Sequence, residues 1–92
     1  MKRKKTQRGF TVIEFTDRYG KSCSLQKSSL GTEYAIWLGI DDAEPRILIE
    51  GKGWTPVKFP ENTLFTTRMH LTQKDVKKLL PLLQKFVETG EI

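Results

Sequence analysis

Leu71-Thr-Gln-Lys-Asp-Val-Lys-Lys-Leu-Leu-Pro-Leu-Leu-Gln-Lys-Phe-Val-Glu-Thr-Gly90 is the stretch whose reading decides the fold. Thr72 is a good helix N-cap, and Asp75 three residues on completes a box-like Thr-x-x-Asp signature. Leu71 and Val76 are spaced for a hydrophobic staple across that cap. At about 100° per residue, Val76, Leu79, Leu80, Leu83, Phe86 and Val87 fall on one face, with Lys74, Lys77, Lys78, Lys85 and Glu88 on the other. Gly90 supplies a left-handed stop. Pro81 costs the bond to the Lys77 carbonyl, but it sits on the lysine face, where water satisfies the freed oxygen and a kink is tolerated.

Everything upstream reads as strands and turns. Phe10–Thr16 is β-branched and aromatic, and Asp17-Arg-Tyr-Gly20 is a hairpin turn into Ser22–Lys27. Tyr34–Ile40 is the most apolar strand, ended by the Asp41–Pro45 turn. Arg46–Glu50 and Trp54–Phe59 follow around Gly51-Lys-Gly53, with Pro56 marking an edge strand. Leu64–Arg68 is extended or irregular. The expected fold class is α+β, an antiparallel meander of about five strands with one C-terminal amphipathic helix packed on one face.

The strands carry apolar side chains on both faces: Ile13 and Phe15 oppose Phe10 and Val12, and Ile36, Leu38 and Ile40 oppose Trp37. One helix covers one face. A second copy covering the other is the simplest expectation, and a sheet curled into a half-barrel is the alternative.

The chain has 92 residues and a net charge of +5, enough for a single domain. Lys2, Arg3, Lys4, Lys5 and Arg8 lie in residues 1–8 with no acid, whereas residues 9–92 hold 11 basic and 11 acidic residues. The basicity therefore belongs to an expected flexible tail, residues 1–8, on a neutral domain, residues 9–92. Such a tail can touch phosphates or simply keep the chain soluble. One cysteine excludes an internal disulfide. No apolar run approaches the roughly 20 residues of a membrane span, and no apolar stretch follows the basic start, so a cytoplasmic location is expected.

The inventory for catalysis is thin. His70 and Cys23 are the sole histidine and cysteine, too few for a nitrogen- and sulfur-ligated zinc site. Asp41, Asp42 and Glu44 lack the spacing and central glycine of a calcium loop. Gly51-Lys-Gly53 lacks the context of a phosphate loop. No catalytic residue, metal or cofactor is therefore expected. The residues suited to gripping an anionic, ring-bearing ligand are Arg68, His70, Trp54, Tyr19, Arg18 and Arg46. Arg68 and His70 lead into the helix start, whose free N–H groups attract anions. Against this stand structural roles: Trp54 as a core anchor and Arg68 as a partner for Glu61.

Thr16-Asp-Arg-Tyr-Gly20, Cys23-Ser-Leu-Gln26, Ile36-Trp-Leu-Gly39, Thr67-Arg-Met-His-Leu-Thr72, Leu79-Leu-Pro-Leu-Leu83 and Phe86-Val-Glu-Thr-Gly90 together resemble a family of small bacteriophage and prophage proteins. The order of sheet and helix is also similar to phage sponges that counter the Thoeris defence system. These oligomeric proteins sequester cyclic ADP-ribose-type signals without cleaving them. The resemblance implies a phage-encoded, non-enzymatic counter-defence protein that forms homo-oligomers and binds a nucleotide-type signal, cyclic ADP-ribose-like or a cyclic oligonucleotide. The alternatives are a protein–protein inhibitor of a host defence or replication complex, as anti-CRISPR proteins are, or a nucleic-acid-binding accessory protein working through the basic tail.

Overall fold

The strands of the computed structural model, which describes residues 1–92, are β1 (Lys2–Lys5), β2 (Thr11–Thr16), β3 (Ser22–Lys27), β4 (Ala35–Ile40), β5 (Arg46–Ile49), β6 (Gly53–Pro56) and β7 (Arg68–Thr72), followed by the helix α1 (Gln73–Thr89). The main sheet has five antiparallel strands in the order β1-β2-β3-β4-β7, and β5-β6 form a separate two-stranded sheet. The fold is α+β with a single C-terminal helix, as the sequence predicts. Two of the five strands are not the expected ones.

The first is β1. Residues 1–8 are not a flexible tail: Lys2–Lys5 pair with β2, setting Lys2 opposite Glu14 and Lys4 opposite Val12. The turn that allows this closes on Thr6, whose N–H donates to the Phe10 carbonyl at 2.8 Å and whose Oγ1 accepts from Phe10 N–H at 3.0 Å. Lys4 then reaches Glu14 at 3.0 Å. A lysine-rich strand suits a sheet edge, because its charge deters pairing with a further strand.

The second is β7. The expected fourth and fifth strands leave the main sheet after Pro45, whose carbonyl accepts from Val57 N–H at 3.0 Å and closes the β5-β6 hairpin. Arg68–Thr72 takes the place beside β4, in the register Gly39↔Arg68, Trp37↔His70 and Ala35↔Thr72. Gly39 makes the approach possible. Its φ is +154°, and a Cβ there would meet the Thr67 carbonyl oxygen at 2.5 Å and the Arg68 Cα at 2.9 Å.

Directly opposed residues of antiparallel strands share a face, so the register sorts the sheet into two unlike surfaces. One carries Ile13, Phe15, Leu25, Ile36, Leu38, Ile40 and Met69. The other carries Glu14, Ser24, Gln26, Trp37, Arg68 and His70. Helix α1 follows β7 without a break. Thr72 Oγ1 accepts from Asp75 N–H at 3.2 Å, the Asp75 carboxylate accepts from Thr72 N–H at 3.0 Å, and Gly90 ends the helix in the left-handed conformation. The helix leans on the end of the sheet through Val76 and Leu80, which line an open cavity of about 920 Å³ with Leu71, Ile36 and Ala35. No residue of α1 is buried. In the whole chain only Cys23, Ser24, Ser28 and Ala35 are.

Candidate functional site

The polar face of the sheet is built by the two-residue period of its strands. Ser24 and Gln26 alternate on β3, with Ser28 continuing the parity beyond it; Trp37 stands on β4, and Arg68 and His70 on β7. Because Trp37 and His70 are directly opposed, their rings meet. The centroids lie 3.8 Å apart with planes 7° from parallel. The Arg68 guanidinium lies 5.7 Å from the Trp37 ring centroid, within the range of a cation–π contact.

Hydrogen bonds hold this stack in place. Arg68 Nη1 donates to Gln26 Oε1 at 2.8 Å and approaches Ser24 Oγ at 3.4 Å. Ser24 Oγ donates to Asp41 Oδ1 at 2.6 Å. His70 Nε2 and Ser28 Oγ are 2.8 Å apart, and the same oxygen accepts from Leu30 N–H at 3.2 Å. Only Nη1 of Arg68 is engaged, and the residue forms no ion pair within the chain. A guanidinium has five N–H donors, so Nη2 and Nε are left to take an anion. Gln26 also lines a cavity of about 300 Å³ with Thr6, Gln7, Arg8 and Phe10. Arg8, over the Phe10 ring at 5.6 Å, thereby brings a second guanidinium to the same face.

The helix start is a poorer anion site than the sequence suggests. Asp75 N–H is used by Thr72, Gln73 N–H donates to the Tyr34 carbonyl at 3.1 Å, and a carboxylate already occupies the terminus. The backbone N–H of Thr72, with its side chain and then Lys78 and Lys74, holds the Asp75 carboxyl below the ordinary range, so it stays ionised there.

The other expected binding residues stand apart from Arg68 and His70. Trp54 is exposed on β6, opposite Leu48. Arg18 and Tyr19 sit in the β2–β3 turn, where Asp17 Oδ1 accepts from Tyr19 N–H at 2.9 Å. Arg46 pairs with Glu44 at 3.6 Å, and Glu44 also binds Lys21. The Lys21 hydrogen bond and charge, and then Arg46, hold the Glu44 carboxyl low. Tyr19 lines a small cavity with Lys21, Asp42 and Glu44, a mixed-charge setting unlike that around Arg68. No hydrogen bond, ion pair or ring contact joins these four residues to Arg68 or His70. Glu61 makes no ion pair with Arg68 either.

Sequence reasoning missed Trp37, Gln26, Ser24, Ser28 and Arg8. The signal was present in Ser22-Cys-Ser-Leu-Gln-Lys-Ser28, which is polar at every second position. Cys23 lies on the opposite face from His70, and burial, with Asp17 and Asp41 nearby, pushes its thiol above the ordinary value. Ser28 beside His70 has the spacing of a nucleophile and base. But Ser28 is buried, and His70 Nδ1 has no hydrogen-bond partner in the chain to orient the ring.

No helix is long and apolar enough to cross a membrane. A scan against protein-family models gave no match, and searches of curated proteins and of solved structures gave none either.

Proposed function

We propose that this protein binds an anionic, ring-bearing small molecule of the nucleotide type on the polar sheet face and holds it without transforming it. The observation that carries this reading is the Trp37–His70 stack beside an Arg68 with no ion-pair partner. A base laid on the outer face of His70 extends an existing parallel stack. Phosphate meets the free edge of Arg68, with Arg8 across Gln26 as a second cation. The roles are distinct: His70 and Trp37 form the platform, Arg68 takes the charge, and Gln26 and Ser24 fix Arg68.

The resemblance to phage sponges supports sequestration as the biological use: removal of a cyclic ADP-ribose-like or cyclic oligonucleotide immune signal. A buried Cys23 on the other face and an unoriented His70 support retention of the ligand over cleavage. The test is calorimetric titration with cyclic ADP-ribose isomers and cyclic dinucleotides, followed by chromatography of the recovered ligand. Saturable binding with intact ligand is expected. No heat at high micromolar ligand, or recovery of a cleaved product, contradicts the reading.

A further inference from the structure

The chain exposes 8173 Å² of surface, whereas a compact monomer of its 10.6 kDa mass exposes about 5,500 Å². Its radius of gyration is 16.6 Å, against about 12 Å for a compact chain of this length. The excess, roughly 2,700 Å² per chain, is the size of an obligate subunit interface.

Three elements account for it. The apolar sheet face (Ile13, Phe15, Leu25, Leu38, Ile40 and Met69) has no layer over most of its breadth. The apolar stripe of α1 is bare beyond Leu79, with Leu83, Phe86 and Val87 exposed to 50%, 55% and 77%. The β5-β6 hairpin stands alone, with Leu48 and Trp54 exposed, and an isolated two-stranded hairpin is marginal in water.

The helix stripe and the sheet face are complementary, yet one chain does not join its own two. Thr72 is at once the last residue of β7, paired with Ala35, and the cap of α1, and Gln73 is bonded to Tyr34. These bonds fix the direction in which the helix leaves the sheet. We infer that the occupant of the sheet face is a second copy of this chain, in a reciprocal dimer where α1 of each protomer lies across the apolar sheet face of the other.

The dimensions agree. A 17-residue helix is about 26 Å long, and five strands span about 19 Å. Charge agrees as well. The first turns of α1 carry Lys74, Lys77 and Lys78, whereas its end carries Glu88 and Glu91 and has no basic residue in the last turn. Laid across the partner, that acidic end reaches Arg3 and Lys5 at the β1 edge of the same face. A two-fold arrangement covers both helices and both sheets at once. It leaves the two polar faces outward, so the inference stands or falls independently of what those faces bind.

The experiment is sedimentation equilibrium of the full chain at micromolar concentration, paired with isotope-filtered nuclear Overhauser spectroscopy on a mixture of labelled and unlabelled chains. A mass of twice 10.6 kDa, or a multiple of it, is expected. So are interchain contacts from Leu83 and Phe86 to Leu25 and Leu38. The double substitution Leu83→Glu with Phe86→Glu is expected to abolish both the dimer mass and the cooperative melt. A cooperatively folded wild-type monomer overturns the inference. So does a dimer whose helix-to-sheet contacts all lie within one chain.

Discussion

His70 lies face to face with Trp37, 3.8 Å from it and nearly parallel, because β7 and β4 pair in the one register that puts the two residues opposite each other. A one-residue slip would send His70 to the apolar face and leave Trp37 uncovered. The stack is therefore a direct readout of strand pairing and the physical basis of the proposed platform.

Removing the platform should weaken binding without unfolding the sheet. His70→Ala is expected to reduce ligand affinity by about tenfold or more, since a base–aromatic stack contributes about 1–3 kcal/mol. His70→Phe should keep most of it. Calorimetry on the two variants checks this, and equal losses would mean that His70 acts through its nitrogens.

Arg68 should not tolerate its usual replacement. Lysine keeps the charge but cannot donate to Gln26 while presenting a two-pronged edge to phosphate. Arg68→Lys is expected to lower affinity at least tenfold with an unchanged circular-dichroism spectrum. The affinity of the wild-type protein should fall with added salt, because the contact is ionic.

Gly39→Ala tests the support beneath both residues. A Cβ 2.5 Å from the Thr67 carbonyl must push β7 away from β4, on a backbone conformation that carries its own strain of order 1–3 kcal/mol. Chemical denaturation should show a loss of at least that size, together with loss of the upfield ring-current shifts of the His70 protons. An unperturbed melt would mean that β7 is held elsewhere.

The capping box makes a pH prediction. The Asp75 carboxyl is held below its ordinary value of 3.8 by Thr72. Its contribution is thus fully present above that value and is lost as pH falls through the lowered one. Helix content measured at 222 nm should hold at pH 5 and decline only below about pH 4. Thr72→Ala is expected to cost about 1 kcal/mol, and Asp75→Asn should flatten the acid dependence.

Helix α1 and the Asp17–Gly20 turn are legible in the sequence because their signals are local: a cap, a period, a stop, an aspartate and a glycine at fixed spacing. Strand β1 is not, because a run of four basic residues carries no apolar alternation and gains its place only from the pairing partner that the Thr6 turn delivers. Strand β7 is obscured for a related reason. Arg68-Met-His-Leu-Thr72 alternates polar and apolar, but it adjoins a helix cap and is separated from β4 by a complete hairpin. The binding residues follow the same division. Arg68 and His70 stand out by chemical type, whereas Gln26, Ser24 and Ser28 become significant only when the register sets them beside Arg68 and His70. Trp54, Tyr19, Arg18 and Arg46 are equally suggestive by type, and the fold sets them apart.

The central claim is that the polar sheet face is the ligand site. Backbone and tryptophan indole N–H shifts, followed during titration with a cyclic ADP-ribose isomer or cyclic dinucleotide that binds in calorimetry, test it most directly. The account predicts that the largest changes fall on the Trp37 indole, Gln26, Arg68 and His70, with the helix start and the Trp54 indole little affected. Changes centred on Thr72–Asp75 or on the β5-β6 hairpin, with Trp37 silent, would contradict it.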